Sequence, residues 1–182
     1  LYQIYLLADD TIYLPANSGK LFNGMRKLST LKMDNLSTER VTSMRAMFQN
    51  CTSLTTLDAT GWDTSNVTDL SGMFYNCTAL TEVKGTENWD LSSCTSLFAT
   101  FYTCKSLQTV NTTGWNTAKV TSLQNMFQDC KALTAVPGIS GWDTGAVTVM
   151  NGLFYGCENL LALDLSNWDT GKLTRIDYFL SM

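Results

Sequence analysis

The chain has 182 residues, 45% hydrophobic and 15% charged, a composition typical of a folded protein rather than a disordered one. The formal net charge of -4 comes from scattered carboxylates with no run of Lys or Arg, which argues against nucleic acid as a partner. Because no apolar stretch approaches the roughly 18 to 20 residues that cross a bilayer, we expect no membrane insertion by this sequence.

The first 16 residues differ in pattern from the rest. Leu1 to Leu14 holds two apolar, β-prone runs around Asp9-Asp10-Thr11, which predicts a hairpin that caps the first repeat. We therefore divide the chain into a capping hairpin at 1–16 and a repeat array at 17–182. Leu1 has neither an initiator Met before it nor a basic flank after it, so the compartment cannot be read from this end.

One period of 26 or 27 residues runs through the array. A Trp and a Cys recur with that spacing, and a Phe follows each Trp by 12 residues up to Phe154, with Leu180 at that position in the last copy and Phe48 and Phe22 extending the row backwards. The two rows are Trp62, Trp89, Trp115, Trp142 and Trp168, and Cys51, Cys77, Cys104, Cys130 and Cys157.

Within one unit, the pattern predicts two short strands and one helical turn. Asn66–Leu70 and Leu80–Lys84 are short, Thr- and Val-rich and bounded by turn formers, whereas Ser71–Asn76 is typical of a helical turn. The Asp-Thr pair after the Trp, as at Asp63, suggests a side-chain-to-backbone turn. The extra residue of the longer units falls in KGTEN before Trp89 and in PGISG before Trp142, which indicates a loop.

The last copy stops early. The sequence ends at Ser181-Met182, two residues past Leu180, which would leave a half-built coil exposed. We therefore expect that the array is truncated at this end or that it continues into further repeats.

The repeat consensus, Trp-Asp-Thr-x-x-Val-Thr-x-Met-x-x-Met-Phe-x-x-Cys-x-x-Leu-x-x-Leu, resembles that of the BspA-like leucine-rich-repeat surface proteins, and more narrowly the mycoplasma-type lipoprotein repeat. The resemblance covers roughly residues 12 to 182 and about six copies. Trp stands where Phe is frequent in that group, and Cys94 stands where the neighbouring copies have Val. The expected fold is an α+β repeat, a leucine-rich-repeat solenoid of 26/27-residue coils. Each coil would contribute two short parallel strands and one helical turn, behind the N-terminal hairpin. The resemblance also implies a bacterial protein at the cell surface or secreted, among whose relatives are adhesins.

The cysteines allow three interpretations. Five occupy one repeat position and Cys94 fills a Val position, so a reduced, buried row is the first interpretation. Neighbouring coils would also bring Cα atoms within the range of a disulfide, which leaves occasional bridges open. A zinc site is the least favoured, because the chain has no His and no Cys-x2-Cys pair.

The Trp row allows two interpretations. Leu36 holds the same position in the first coil, and Phe commonly holds it in the resembling group, which favours rings that point into the core. Rings that faced outward would instead form an aromatic platform suited to sugars.

The sequence lacks the residues that enzymes commonly use for nucleophilic catalysis. Because it contains no His, the Ser/His/Asp and Cys/His nucleophile arrangements cannot form. The Asp that recurs beside each Trp is explained by its turn. An unbroken row of Thr at position 42 and its equivalents is explained by pairing between strands. We therefore expect no enzyme and no cofactor or metal.

Partner binding should use the positions at which the coils differ. The face beside the Leu-x-x-Leu strand is polar and varied, and a second varied row follows the Phe. The candidate contacts are Glu82, Lys84, Gln108 and Asn111 on the first, and Tyr75, Tyr102 and Tyr155 on the second. We expect adhesion or binding to a host or bacterial surface protein or a glycan. The alternatives are a structural spacer that presents another domain, and a carbohydrate-binding module that uses the Trp row.

Overall fold

The computed structural model describes residues 1–180, so the expected continuation at Ser181 and Met182 lies outside them. The chain is mostly irregular, with short parallel strand pairs and almost no helix. Positions 26 or 27 residues apart lie beside each other and share backbone hydrogen bonds, as Thr95 N does with Thr68 O at 2.9 Å and Phe127 N with Leu153 O at 3.0 Å. The repeat seen in the sequence is therefore a repeat in space.

Six short strands lie within residues 1–180 and form three parallel pairs. Their bounds are Tyr2–Leu6 (β1), Ile12–Tyr13 (β2), Leu28–Met33 (β3), Leu36–Ser37 (β4), Thr56–Asp58 (β5) and Glu82–Lys84 (β6). β1 pairs with β3 and β2 with β4 near the N-terminus, and β5 pairs with β6 in the next two coils.

The predicted N-terminal hairpin is wrong. Within residues 1–180, β1 and β2 do not pair with each other, and each pairs in parallel with a strand of the following coil. This arrangement places Ile4 beside Leu31 and packs Ile4 and Leu6 against the core. Because a hairpin would leave that apolar side without a partner, pairing with the next coil buries more surface. The segment around Asp9 is a connection between two strands of the stack.

The predicted helical turn over Ser71–Asn76 is also wrong. Gly72 and Asn76 have positive φ, at 62° and 60°, and a residue in this conformation interrupts a right-handed helix. Alternate amides turn outward from the coil: Met73 N donates to Leu70 O within the coil, whereas Gly72 N donates to Phe98 O of the next one. The same two positions have positive φ in the neighbouring coils, at Ala46 and Asn50, Ala99 and Thr103, Asn125 and Asp129, and Gly152 and Gly156.

The first predicted strand of each unit is reduced to one residue. Of Asn66–Leu70, only Asp69 forms parallel bridges, to Ser43 on one side and Ser96 on the other. The second predicted strand, Leu80–Lys84, is shorter than expected and is observed as β6, Glu82–Lys84. In later coils its equivalent is the single bridge from Thr109 to Ala135. Turns and irregular backbone therefore occupy most of each coil.

In both longer units, the segment that contains the extra residue includes a short 3₁₀ helix. These helices span Thr86–Asn88 and Ile139–Gly141, and each follows a glycine with positive φ, Gly85 at 82° and Gly138 at 89°. A Cβ atom on Gly138 would lie 2.3 Å from the backbone nitrogen of Thr113 in the preceding coil. The insertion thus depends on a glycine packed against backbone.

The core is a continuous column through the stack. The rings of the Phe row stack nearly parallel, with centroids 5.2 Å apart for Phe22 and Phe48 and 5.5 Å apart for Phe127 and Phe154. Leu, Val, Met and Cys rows surround the rings and are buried from Val41 to Cys157. Because these inward positions are fixed, each coil presents its remaining positions outward at a regular spacing.

Candidate ligand-binding surface

The cysteine row lies inside the stack. All six cysteines are free and buried. Each thiol of the five-member row donates to the carbonyl oxygen of a Phe in the preceding coil, as Cys77 Sγ does to Phe48 O at 3.0 Å and Cys130 Sγ to Phe101 O at 3.1 Å. The row therefore serves as packing and as a hydrogen-bonded link between coils.

Burial makes these thiols poor nucleophiles. Loss of solvent raises the pKa of Cys51 and of Cys94 to about 11 and that of Cys157 to about 12, and it raises the pKa of Cys104 and Cys130 well above the ordinary value. A reactive thiol needs a lowered pKa and access to solvent. The row has neither property.

The Trp row also packs inward. Trp89, Trp115, Trp142 and Trp168 stack with centroids 5.8 to 5.9 Å apart, and Trp62 stacks instead on Phe48 at 6.4 Å. The exposed fraction is 7% or less for all but Trp168, which is half-buried. The interpretation of this row as an outward-facing sugar platform is therefore wrong, because the ring faces cover one another inside the stack.

Thr and Asp side chains fix the turns between the rows. The carboxylate of Asp63 accepts from Ser65 N at 2.9 Å, and the carboxamide of Asn116 accepts from Ala118 N at 3.2 Å, so the side-chain-to-backbone turn forms. The unbroken Thr row is exposed over most of its length, and each Oγ1 donates to a carbonyl of the preceding coil, as Thr121 Oγ1 does to Thr95 O. These residues serve the backbone of the stack.

The face beside the Leu-x-x-Leu strand carries four of the predicted contact residues. Glu82 and Lys84 are exposed at the two ends of β6, Gln108 is exposed in the next coil, and Asn111 is half-buried. The structure places them on adjacent coils of one side. No large aromatic side chain stands among them.

The opposite candidate surface is formed by the turn segments that flank the Phe row, and we call it the turn face. It brings together the three predicted tyrosines and several residues that were not predicted. Its residues are Lys20, Arg45, Gln49, Tyr75, Phe98, Tyr102, Gln124, Gln128, Asn151, Tyr155, Arg175, Asp177 and Tyr178.

The tyrosines form two separate pairs on the turn face. Tyr75 and Tyr102 stack with centroids 4.7 Å apart, and burial, followed by the neighbouring Tyr75, raises the pKa of Tyr102. Tyr155 lies beyond Gln128 and meets Tyr178 edge-to-face at 6.0 Å. The predicted tyrosines are therefore brought to one surface but not into one cluster.

Two grooves run along the turn face. The larger, of about 790 Å³, lies between the last three coils and is lined by Tyr155, Tyr178 and a set of amide side chains. The smaller, of about 280 Å³, lies nearer the N-terminus and is lined by Lys20, Arg45, Tyr75 and Phe98, among others. Both volumes approach or fall within the range of roughly 300 to 1,000 Å³ for small-ligand sites.

Sequence reasoning missed part of the larger groove. Gln124, Asn151, Asp177 and Tyr178 lie before the Phe row, in the segment that was expected to be helical, so their common direction was hidden. The available signal was that one position reads Arg45, Ser71, Phe98, Gln124, Asn151 and Asp177 in successive coils, a variation that the Phe and Cys rows do not show.

Two features are absent from residues 1–180. No group of three or more metal-binding side chains lies close enough together to hold an ion. In the same residues, no helix has the length and apolar character needed to cross a membrane.

The geometry defines a class of repeat protein, with a constant interior of stacked rings and thiols and a varied outer turn face. The chain belongs to the family described as "Mycoplasma protein of unknown function, DUF285", which matches residues 16–112 and 81–182. The two matched ranges overlap, as a repeated unit allows. No curated protein matches the chain.

Proposed function

We propose that this chain is a BspA-like leucine-rich-repeat solenoid of a bacterial cell-surface or secreted protein, and that its turn face binds a host or bacterial surface protein or a glycan. The function is adhesion or ligand recognition through several shallow contacts. It needs no cofactor, and it is not that of an enzyme. Nucleic acid is not a partner under this proposal, since the net charge is -4 and the Lys and Arg residues are scattered.

The observation that carries the proposal is that aromatic rings, polar side chains and grooves occur together on the turn face. Exposed Phe and Tyr rings stand there beside charged and amide side chains, along two grooves. Phe98 is 38% exposed and Tyr155 37% exposed, although apolar residues that serve packing are buried in the same coils. Large aromatic side chains with polar neighbours are the usual anchors of protein and ligand interfaces.

The stack supports this role by holding its surface rigid. Alternate turn-segment amides donate to the next coil, as Phe74 N does to Thr100 O and Asn76 N to Tyr102 O. Since the backbone under Tyr75 and Tyr102 is fixed on both sides, little conformational entropy is lost when a partner binds.

A binding screen tests the proposal. The folded chain is screened by surface plasmon resonance against purified host matrix proteins and immobilised host glycans. A variant with Tyr75→Ala, Tyr102→Ala and Tyr155→Ala should lose a saturable interaction by tenfold or more. Circular dichroism should show that this variant keeps the fold.

The matched control changes the other face. A variant with Glu82→Ala, Lys84→Ala, Gln108→Ala and Asn111→Ala should bind as the unchanged chain does. If it loses binding and the tyrosine variant does not, the partner uses the strand side and the turn-face assignment is wrong. If the folded chain binds nothing in the screen, the alternative role of a structural spacer is favoured.

A further inference from the structure

The larger groove of the turn face is lined by residues from adjacent coils. It spans three coils, with Gln124, Asn125 and Gln128 from one, Asn151, Gly152 and Tyr155 from the next, and Arg175, Asp177 and Tyr178 from the third. Its volume is about 790 Å³. A site that crosses three coils offers positions along its length for an extended ligand.

Gly152 contributes only backbone atoms to the lining of this groove. A Cβ atom on Gly152 would lie 2.6 Å from Asn125 Oδ1 and 3.1 Å from Gln128 Oε1. The equivalent residues Ala46 and Ala99 do carry a Cβ atom. The missing side chain lets the two amides of the preceding coil lie over the backbone at this point, which leaves their other atoms at the groove surface.

The polar lining is rich in amides and has no net formal charge. Arg175 Nη2 lies 3.6 Å from Asp177 Oδ2, and the same carboxylate oxygen accepts from Asn151 Nδ2 at 3.0 Å. Side-chain amides offer both donors and acceptors. Arg175 adds donors, and Asp177 adds acceptors. This combination matches hydroxyl groups, which also both donate and accept, better than it matches an anion or a cation.

One acceptor in the groove wall lacks a donor among residues 1–180. Asn151 is 8% exposed, and its Oδ1 atom is buried with no hydrogen-bond partner in this part of the chain. A buried acceptor left without a donor is costly, so such an atom beside a groove indicates a place for a ligand donor. A ligand hydroxyl group in the groove can donate to Asn151 Oδ1 after a rotation of the Asn151 amide.

The aromatic wall provides an apolar surface beside these polar groups. Tyr178 is 72% exposed and Tyr155 is 37% exposed, and their rings are nearly perpendicular, at 83°. Because the two rings meet edge-to-face, the ring that presents its edge has neither of its faces covered by the other ring. A tyrosine ring of this kind can pack against the C–H face of a sugar while its hydroxyl makes a hydrogen bond.

We propose that this groove binds a short neutral oligosaccharide. The inference rests on the proposed function, for which it names the ligand class and the part of the turn face that takes it. The smaller groove carries Lys20 and Arg45 and lacks this set of amides, so it is not a second copy of the site.

Saturation-transfer NMR and calorimetry with defined sugars test the proposal. The probes are neutral trisaccharides of glucose, galactose, mannose and N-acetylglucosamine, with a sialylated trisaccharide as the charged comparison. At least one neutral probe should bind, and Tyr155→Ala and Gln124→Ala should each weaken it by tenfold or more. Gly152→Ala should also weaken it by bringing a methyl group against Asn125 and Gln128.

The control variant, Glu82→Ala on the strand side, should leave sugar binding unchanged, and urea unfolding should show that Tyr155→Ala and Gln124→Ala remain folded. The proposal is overturned if every neutral probe fails at millimolar concentration, if only the sialylated probe binds, or if Tyr155→Ala and Gln124→Ala leave binding intact. If the turn face still binds a matrix protein while all sugars fail, the sugar site is wrong and the proposed function stands.

Discussion

The two sides of one turn segment behave differently, although they alternate along the same few residues. In the segment that holds Phe101 and Tyr102, the Phe ring is fully buried and stacks on Phe74 and Phe127, whereas the Tyr ring is half-buried on the turn face. The inward positions repeat from coil to coil and the outward positions change. The stack is therefore specified by one side of the segment, and the other side is free to carry a binding site.

The largest expected effect comes from changing one member of this adjacent pair. Phe101→Ala should lower the free energy of unfolding by about 3 to 5 kcal/mol, because it leaves a cavity in the ring column. Tyr102→Ala should cost at most about 1.5 kcal/mol, the value of one aromatic pair. Urea unfolding of both variants measures the difference. Equal losses would show that the two sides are not energetically distinct.

The next largest difference in stability is expected between substitutions at Gly138, which caps the second 3₁₀ helix, and at Gly141, the last residue of that helix. Gly138→Ala should cost about 2 to 4 kcal/mol, because it adds backbone strain at positive φ and overpacks Thr113. Gly141→Ala should change stability by less than about 0.5 kcal/mol, since no atom lies within 4 Å of its Cβ position. Thermal unfolding compares them. A tolerated alanine at 138 would contradict the close packing between coils.

Alkaline pH tests the inward side through its thiols. A thiol whose folded pKa is raised contributes stability below its unfolded pKa of 9.0, and that contribution is lost as the pH rises toward about 11, the value for Cys94. Cys94→Val keeps an apolar side chain at a position that is Val in Val67 and Val120. Its stability should fall by about 2 kcal/mol less between about pH 8 and pH 11 than that of the unchanged chain.

Urea midpoints at the two pH values measure this difference. The same alkaline loss in both proteins would show that Cys94 does not ionise on unfolding in that range.

The smallest contrast is between two Thr residues of one turn. Thr117 is 2% exposed and donates to Asp143 O at 2.9 Å, whereas Thr121 is exposed and donates to Thr95 O at 3.1 Å. Thr117→Val should cost about 1 to 2 kcal/mol, because it removes a hydrogen bond donated by a buried hydroxyl. Thr121→Val should cost under about 0.5 kcal/mol, because water can replace its hydroxyl. Chemical unfolding should separate them, and the reverse order would contradict the burial of the inner row.

Features that depend on one coil and its period could be predicted from the sequence. The spacing of the Trp, Phe and Cys rows, the Asp turn and the position of the extra residue all follow from residues that recur at fixed places. The three predicted tyrosines do reach one surface. The Trp, Phe and Cys signals each recur in at least five coils, so a chance match in one coil does not mislead.

Features that depend on backbone conformation could not be predicted. Ala99 and Thr103 adopt positive φ although neither residue favours it, because their own backbone amides donate hydrogen bonds to the next coil. This removed the expected helical turn and hid Gln124 and Tyr178 from the candidate site. The N-terminal hairpin failed for a related reason, since local turn signals around Asp9 were outweighed by pairing with a distant strand.

The ring column has a consequence for how such a protein can change its length. In the ring column, each Phe ring stacks on the Phe rings of the adjacent coils, so deleting the segment from one Trp to the residue before the next Trp removes one whole unit. Deleting residues 89–114 would join Asn88 to Trp115 and present the ring of Phe127 to that of Phe74. In-frame recombination between repeats should therefore give folded proteins with fewer or more coils, and their surface sites would be reshuffled as blocks.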